Sequence, residues 1–447
     1  MSNTAPFVPE LLSPAGTLKH LRYAFAYGAD AVYAGQPRYS LRVRNNSFKN
    51  AEALAEGISE AHSLGKRFYL ASNVSPHNDK IRSYIRDLEP IIEAGPDALI
   101  MSDPGLIMMV QERWPEQEIH LSVQANAVNY ATVRFWHQQG LRRVILSREL
   151  SLEEVRKIRE EVPDVELEVF VHGALCMAYS GRCLLSGYMN HRDANQGACT
   201  NACRWSYKPM VSQQDDTGDL IPVQQVQEQG AGQVQMHTPR SILLKEPNDP
   251  TGTIEMHEDE HGTYIMNSRD LRAVQHVKAL TEMGVHSLKI EGRTKSVYYA
   301  ARTAQVYRRA IDDAVAGREF DMSLMDELEA MSNRGYTEGF FRRHPPQEYQ
   351  TYEQGTSQLG SQQLVGEVVD ADEQWIYFDV KNRFEKHDEV LLMTPNGNRR
   401  FVVETLENKK GEAVNEAPGS GHFVRIPRFE GLDDEALKWG MLARYMK

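Results

Sequence analysis

Eight short apolar runs alternate with amphipathic segments between Glu10 and about residue 316. The runs are rich in Val, Ile and Leu at both odd and even positions, which is typical of parallel strands buried on both faces. In chain order they are ELLSPAG, DAVYAGQ, RFYLASNV, DALIMSD, EIHLSVQAN, RRVILSREL, ELEVFVHG and HSLKIEGR. The intervening segments have the apolar spacing of helices that pack on a sheet, as at 17–27, 51–64, 78–93 and 152–162. Eight strand–helix units predict an α/β fold, a (β/α)₈ TIM-like barrel, with an open doubly wound sheet as the alternative.

The same pattern divides the chain into domains. We assign residues 7–345 to the barrel, with a four-cysteine segment at 172–205 and a polar, Gln-rich insertion at 206–262 inside it. A linker at 346–361 follows a Pro-Pro pair. From 362 to 447, short strand-like runs surround Asn396-Gly397, a pair that is typical of a β-hairpin turn. We therefore expect a small C-terminal all-β barrel domain.

Each apolar run of the predicted barrel ends in polar or special residues. In a (β/α)₈ barrel these strand ends meet on one face, where catalytic groups are found. The candidates at or beyond the strand ends are Arg38, Arg42, Arg44, Asn73, Gln124, Asn126, Arg148, His172, Glu291, Arg293 and Lys295. Structural alternatives exist, since Ser13 or Asp103 can cap the following helix. The arginines can also form ion pairs with neighbours such as Glu149 or Glu291.

All four cysteines of the chain, Cys176, Cys183, Cys199 and Cys203, fall within 28 consecutive residues. They follow the seventh apolar run, so a metal site there would lie over the mouth of the barrel. The C-x₆-C-x₁₅-C-x₃-C spacing is looser than that of zinc ribbons, whereas an iron–sulfur cluster accepts ligands from separated loop positions. We favour an iron–sulfur cluster, with zinc as the alternative and reduced cysteines without metal as the third interpretation.

Charge restricts the class of partner. The 447-residue chain has 41% hydrophobic residues and a formal net charge of −12, so it is not a uniformly basic nucleic-acid binder. Two local basic strips, Arg38–Arg44 and Lys289–Arg309, are either nucleic-acid contacts or solvated faces. Tyr39 is a candidate exposed aromatic for base stacking, whereas Tyr298 and Tyr299 are better explained by core packing.

Nothing in the sequence predicts a membrane or secreted protein. No apolar run approaches the ~20 residues that span a bilayer, and the N-terminus lacks a basic segment followed by an apolar stretch. We therefore expect a cytoplasmic protein whose cysteines are not paired as disulfides.

Several motifs together resemble one known family. They are ELLSPAG, DAVYAGQPRYSLRVRNN, PDALIMSDPGLI, HLSVQANAVN, VILSRELSL, VFVHGALCMAYSGRCLLSGY, NQGACTNACRW and HSLKIEGRTKS. The combination is similar to the collagenase-like peptidase family, and within it to the branch that takes part in prephenate-dependent tRNA hydroxylation. The resemblance covers most of residues 7–345 and continues more weakly into the C-terminal part, with the insertion near 209–255 the least similar.

The resemblance implies a cofactor and a reaction. It implies a barrel core with a four-cysteine site. In relatives that act in quinone hydroxylation this site holds a [4Fe–4S] cluster. The resemblance therefore implies that the four cysteines named above are the cluster ligands. The implied reaction forms 5-hydroxyuridine at the wobble position of tRNA, the first step towards 5-carboxymethoxyuridine. It depends on prephenate and does not need molecular oxygen.

These implied substrates, tRNA and prephenate, give the candidate residues their roles. Prephenate carries two carboxylates, which match the paired donors of guanidinium groups. The cationic candidates for it are Arg38, Arg42, Arg44, Arg148, Arg293 and Lys295. The amides of Asn73, Gln124 and Asn126 suit the edge of a uracil base. His172 and Glu291 are the candidate catalytic groups, although His172 can also support the metal ligands or belong to the core.

A peptidase is the alternative function. The sequence contains no G-x-S-x-G elbow, and its cysteines are better explained as ligands. Residues 257–261, HEDEH, have the H-E-x-x-H spacing of zinc peptidases, which place this motif on a helix. His257 and His261 are four residues apart, but they fall in the polar insertion, where we expect a solvated loop. A third possibility is a non-catalytic RNA-binding protein with structural zinc. The sequence leaves a protein partner or an oligomer open.

Overall fold

The computed structural model describes residues 6–41, 48–175, 208–214, 220–222, 241–245, 253–259, 262–263, 269–333, 335–342 and 360–446. Within these residues, eight parallel strands pair side by side into a closed ring. In chain order they are β1 (Glu10–Pro14), β2 (Ala31–Gly35), β3 (Arg67–Ala71), β4 (Ala98–Met101), β5 (Ile119–Leu121), β6 (Arg143–Ile145), β7 (Glu166–Ala174) and β14 (Ser287–Ile290). Strand β14 pairs with β1 on one side and with β7 on the other, which closes the barrel. The predicted (β/α)₈ barrel is confirmed, and the open sheet is wrong.

Helices cover the outside of this barrel. They are α1 (Leu18–Ala26), α2 (Ala51–Ser63), α3 (Asn78–Glu93), α4 (Pro104–Arg113), α5 (Tyr130–Gln138), α6 (Leu152–Glu161), α7 (Val277–Glu282), α8 (Val297–Val315) and α9 (Ser323–Glu329). Several begin at a side-chain oxygen that accepts a free backbone amide, as Asp103 does for α4. Asp103 thus has the capping role considered for it. Ser13 does not, because it lies within β1 and Thr17 caps α1.

The described parts of the polar insertion form a separate antiparallel sheet. Its strands are β8 (Lys208–Gln214), β9 (Leu220–Pro222), β10 (Ser241–Lys245), β11 (Thr253–Asp259) and β12 (Gly262–Thr263), in the order β12-β11-β10-β8-β9. The loop expected around His257 is therefore wrong, since this residue lies in β11, while His261 is outside the described residues. The chain then rejoins the barrel through β13 (Asp270–Arg272), which pairs with β7 and with β15 (Tyr336–Thr337).

The C-terminal part is an antiparallel β domain, as the sequence predicts. Its elements are β16 (Gln362–Ala371), β17 (Trp375–Val380), β18 (Phe384–Glu385), β19 (Glu389–Thr394), β20 (Gly397–Val402), β21 (Glu407–Asn408), β22 (Glu416–Ala417), β23 (Phe423–Pro427), α10 (Asp434–Leu437) and β24 (Met441–Tyr445). Seven strands form one sheet in the order β20-β19-β24-β16-β17-β23-β21, and β18 pairs with β22. Thr394 pairs with Gly397, so the predicted hairpin at Asn396-Gly397 is confirmed.

The two domains share buried contacts. The hydroxyl of Tyr27, at the end of α1, lies 3.0 Å from the carbonyl oxygen of Met393 and 2.9 Å from that of Trp439. Three residues of the C-terminal domain belong to the same apolar cluster as the barrel core: Met393, Met441 and Ala443. A second apolar cluster lies within the C-terminal domain itself. The interface is therefore a continuation of the barrel core.

None of the described helices is both long enough and apolar enough to cross a membrane.

Candidate active site at the barrel mouth

A pocket opens at the C-terminal ends of the barrel strands. Residues from or just after β2 to β7 and β14 line it: Tyr33, Leu41, Ala71, Asn73, Ile100, Ser122, Val123, Gln124, Ile145, Arg148, Phe170, Ala174, Lys289, Glu291 and Arg293. Its space measures about 690 Å³, counted out to the open mouth. This is the face on which (β/α)₈ enzymes carry their catalytic groups. It is therefore the candidate active site.

Five of the sequence candidates line this pocket: Asn73, Gln124, Arg148, Glu291 and Arg293. They follow strands that are far apart in the sequence, and the closed barrel brings them together. A further lining residue, Lys289, was not among the candidates.

Arg148 lies over an aromatic ring at the pocket wall. The central carbon of its guanidinium is 3.8 Å from the centroid of the Phe170 ring, which is a cation–π contact. Its Nη2 lies 3.4 Å from Oε2 of Glu291, so the ion pair considered from the sequence is present. Its Nε has no hydrogen-bond acceptor among the described residues, although the side chain is only 10% exposed. Arg148 can thus offer a donor to a ligand.

Arg293 and Asn73 connect the pocket to the loop that follows β2. Nη1 of Arg293 donates to Oγ of Ser40 at 2.8 Å, and the guanidinium lies 5.6 Å from the ring centroid of Tyr33. Oδ1 of Asn73 accepts the backbone N–H of Leu41 at 3.3 Å. Both residues therefore position the loop as well as lining the pocket.

Gln124 lies in a short 3₁₀ turn (Val123–Ala125) after β5. Its Oε1 accepts the hydroxyl of Ser122 at 3.0 Å, whereas its buried Nε2 has no acceptor among the described residues. Asn126 has a left-handed backbone (φ 54°), and its Nδ2 donates to the carbonyl oxygen of Gln124 at 2.8 Å. Asn126 supports the turn and is not one of the lining residues.

Lys289 lies on β14, whereas Glu291 and Arg293 follow the end of this strand, so Lys289 lies deeper in the barrel. It is 3% exposed, and its Nζ lies 2.8 Å from Oε1 of Glu168. Burial lowers the pKa of Lys289, and the charge of Glu168 opposes this shift. Burial alone would raise the pKa of Glu168, but the charges of Lys289 and Arg143 outweigh it and hold this pKa below its usual value.

Below Lys289, an ion network extends to the opposite end of the barrel. Arg143 is buried, and its guanidinium lies 2.6 Å from Glu10, 2.8 Å from Glu166 and 3.4 Å from Glu168. Burial would lower the pKa of Arg143, but these carboxylates raise it well above its usual value. The interior of the barrel is therefore charged along its length, and the pocket is its open end.

His172 lies outside the pocket. Its ring centroid is 5.4 to 5.7 Å from those of three tyrosines on the outer side of β7, Tyr299, Tyr307 and Tyr336. Burial, with smaller effects from the charges of Lys295 and Arg272, lowers the pKa of His172 to about 3, so the ring is neutral at pH 7. Its predicted catalytic role stays a prediction that no contact with the pocket supports.

The other cationic candidates are also away from the described pocket lining. Lys295 Nζ lies 3.8 Å from Oδ2 of Asp270. Arg38 is exposed, and its Nη1 lies 2.6 Å from Oδ2 of Asp87. Arg42 and Arg44 lie outside the described residues.

The second basic strip, Lys289–Arg309, does not form a solvated basic face, whereas the first, Arg38–Arg44, stays untested because Arg42 and Arg44 lie outside the described residues. Lys289, Arg293 and Arg302 are buried, and Arg308 and Arg309 form ion pairs with Asp30 and Glu327, respectively. The expectation of an exposed stacking aromatic at Tyr39 is also wrong, because this side chain is completely buried. Tyr298 and Tyr299 are buried too, as expected from core packing.

The four predicted metal ligands, Cys176, Cys183, Cys199 and Cys203, lie outside the described residues. Among the described residues, no group of His, Cys, Asp and Glu side chains is arranged to hold a metal ion. Strand β7 ends at Ala174, which lines the pocket and is two residues before Cys176 in the sequence.

Comparison with known proteins gives near full-length relatives. The chain is 60% identical to tRNA hydroxylation protein P of Escherichia coli (strain K12), over 98% of this chain and 97% of that protein. It is 61% identical to tRNA hydroxylation protein P of Haemophilus influenzae, over 94% and 93% of the two chains. It is 30% identical to the 23S rRNA 5-hydroxycytidine C2501 synthase of Escherichia coli, over 78% of this chain and 44% of that protein.

Family models match both domains. The model of peptidase family U32 matches residues 16–351, and that of the peptidase family U32 C-terminal domain matches residues 360–444. The chain therefore belongs to peptidase family U32.

Proposed function

We propose that this protein hydroxylates the wobble uridine of tRNA to 5-hydroxyuridine, in a reaction that uses prephenate and does not need molecular oxygen. The observation that carries the proposal is the 60% identity, over nearly the whole chain, to a protein named for tRNA hydroxylation. The product is the first intermediate towards 5-carboxymethoxyuridine. A tRNA substrate implies a protein that acts in the cytoplasm.

The charge of the pocket supports a small anionic co-substrate. Three cationic side chains line it, Arg148, Lys289 and Arg293, against the single carboxylate of Glu291 among its described lining residues. Apolar side chains and aromatic rings fill the wall between them. Prephenate combines two carboxylates with a six-membered ring, so guanidinium groups can bind its charges while the apolar wall packs on the ring.

The amide of Gln124 suits the other substrate. Its buried Nε2 has no acceptor among the described residues and can donate to a carbonyl oxygen of uracil. A uridine can reach the pocket only when it is unstacked from its neighbours, as enzymes that modify bases require. The wobble base lies in a single-stranded loop, where unstacking costs little.

We further propose that Cys176, Cys183, Cys199 and Cys203 hold a [4Fe–4S] cluster, with zinc as the alternative. Four thiolates suit an iron–sulfur cluster, and the first of them is only two residues after the pocket residue Ala174 in the sequence. When bound, such a cluster supplies one-electron redox chemistry. Iron, sulfide and zinc analysis of anaerobically purified protein tests this part. We expect four iron atoms per chain in the wild type and fewer in Cys199→Ala. Stoichiometric zinc without iron would contradict the proposed cluster.

The described pocket does not favour the peptidase alternative. A serine peptidase needs a hydroxyl within hydrogen-bond reach of a base. The lining hydroxyl of Ser122 donates to the amide of Gln124, and the described lining contains no histidine. Cleavage of a peptide panel that persists after removal of iron would nevertheless favour a peptidase.

Complementation tests the proposed reaction. An Escherichia coli strain without its tRNA hydroxylation protein P is grown without oxygen, with this protein or with an empty vector, and its tRNA nucleosides are measured by mass spectrometry. We expect this protein to restore derivatives of 5-hydroxyuridine and Cys199→Ala to fail. Absence of these nucleosides with the wild-type chain, despite normal expression, would overturn the proposal.

A further inference from the structure

Lys289 provides a buried ammonium group deep in the pocket. It lines the pocket together with Tyr33 and Phe170, and its Nζ lies 4.4 Å from the ring centroid of Tyr33. An ammonium group has three N–H donors. The carboxylate of Glu168 takes one of them at 2.8 Å. The ammonium group therefore retains donors for a ligand that enters from the mouth.

The charge below Lys289 is shared with another cation. Glu168 is completely buried and also accepts from Arg143, at 3.4 Å. Arg143 has two closer carboxylate partners besides Glu168, whereas Lys289 bonds to Glu168 alone among the described residues. The described lining of the pocket adds two arginines to Lys289 and only one carboxylate. Buried cations that are incompletely opposed are costly, so the site gains free energy when a ligand brings negative charge close to Lys289.

We propose that Lys289 binds a carboxylate of a small dianionic ligand at the inner end of the pocket, and that Glu168 is a positioning residue that fixes its ammonium group. Arg148 and Arg293, nearer the mouth, then bind the second carboxylate. The ligand class is a dicarboxylate whose charges are separated by an apolar body. The identification of this ligand as prephenate rests on the proposed function, whereas the inner carboxylate site rests on the geometry.

The site has a characteristic pH dependence. Lys289 faces Glu168 on β7, Tyr33 on β2, and Glu291 and Arg293 beyond β14, with Arg148 at the wall and Arg143 behind Glu168. Burial lowers the pKa of Lys289, whereas it raises the pKa of Tyr33, which stays neutral. Lys289 is charged below its pKa. Affinity for an anion is therefore lost as the pH rises through the pKa of Lys289, at a lower pH than for an ordinary lysine.

Isothermal titration calorimetry of the purified, cluster-containing protein with prephenate and with succinate tests the proposal. Lys289→Met removes the ammonium group and is expected to weaken binding on the order of 10- to 100-fold, as for the loss of a charge-assisted hydrogen bond. Lys289→Arg keeps the positive charge and should recover part of the affinity. Because a guanidinium stays charged at alkaline pH, its binding should not weaken there. Lys66→Met, at the opposite end of the barrel, is the matched control and should bind as the wild type does.

A second variant separates binding from folding. If Lys289→Met does not fold, Lys289→Met/Glu168→Gln removes both charges together and should fold with the same loss of affinity. Prephenate binding that is unchanged in either variant would overturn the inner site and leave the proposed function standing. Succinate binding that depends on Lys289, without prephenate binding, would support the inner site and remove prephenate from the proposed function. Failure of the wild type to bind either dicarboxylate would overturn the inner site.

Discussion

At the scale of single residues, alternation along the strands decides which charged side chains enter the barrel. Lys289 and Glu291 are two residues apart on and after β14, and both line the pocket. Side chains of a strand alternate between its two faces, so the residue two positions before Glu291 in HSLKIEGR faces the same side. This rule would have identified Lys289 from the sequence. The same rule fails for His172, two residues after the pocket residue Phe170.

An irregular register explains that failure. Lys289 pairs with Phe170, but the next residue, Ile290, pairs with His172, so Val171 is an extra residue in β7. An extra residue reverses the direction of the side chains that follow it. His172 therefore packs against tyrosines outside the barrel. No apolar pattern in VFVHG indicates such a bulge, so this position could not be predicted.

Gly173, beside this irregularity, gives a prediction. Its φ is +105°, and a Cβ there would lie 2.4 Å from the carbonyl oxygen of Glu291. Gly173→Ala is expected to lower the free energy of unfolding by roughly 1–3 kcal/mol and to displace Glu291, reducing tRNA hydroxylation. Urea unfolding and nucleoside mass spectrometry measure the two effects.

Gly65→Ala is the matched control for Gly173→Ala, because Gly65 also has a positive φ (+65°) but open space around its Cβ position. Equal effects of the two substitutions on stability and hydroxylation would contradict the role of close contact at Gly173.

At the scale of elements, the strands and several helix starts follow from local pattern. Ser151 and Glu154 form a reciprocal capping box at the start of α6, which the sequence SLEE already indicates. The ion network inside the barrel does not follow from local pattern. Arg143 lies on β6 and Glu10 on β1, and only the closure of the ring brings them within 2.6 Å.

The network predicts a pH-dependent stability. Arg143→Met leaves buried carboxylates without their shared cation and should destabilise the protein by about 3–5 kcal/mol at pH 7. Arg143 helps to hold the pKa values of Glu166 and Glu168 below their usual range. Their stabilising contribution is thus present above the unfolded pKa of about 4.3 and is lost as pH falls through the folded pKa. The difference between wild type and variant should therefore shrink in acid.

Denaturant unfolding from pH 7 to pH 3 measures this difference. Arg142→Met is the matched control, because the neighbouring Arg142 also pairs with Glu166, at 3.0 Å, but its side chain is 66% exposed. We expect it to cost less than about 1 kcal/mol. A deficit in Arg143→Met that does not depend on pH would contradict the electrostatic explanation.

At the scale of the whole molecule, the pattern of apolar and polar residues predicts an α/β domain and a β domain. It does not predict which surfaces of the two domains are in contact. Tyr23 on α1 and Tyr27, the residue that follows this helix, both contact the C-terminal domain. Apolar spacing marks such residues as buried without indicating their partner. The cysteine segment, which gives the strongest sequence signal for a cofactor, lies outside the described residues, so its role stays a prediction.

The shared interface predicts joint unfolding. Tyr27→Phe removes a buried hydroxyl that bonds to carbonyl oxygens of the C-terminal domain and should destabilise the protein by about 1 kcal/mol. Scanning calorimetry should show one transition that moves as a whole to lower temperature. Tyr130→Phe, on the exposed side of α5, should leave it in place. Two separate transitions, only one of which moves, would show that the domains unfold independently.

The central claim is that the barrel-mouth pocket hydroxylates tRNA uridine. The most direct measurement is the amount of wobble 5-hydroxyuridine derivatives in tRNA from anaerobically grown complemented cells that express Arg148→Ala. Arg148 lines the pocket, whereas Arg86, the matched control, is exposed on α3 and 76% accessible at its side chain. We predict that Arg148→Ala abolishes or strongly reduces these nucleosides and that Arg86→Ala leaves them at the wild-type level. Full modification with Arg148→Ala at equal expression would contradict the account.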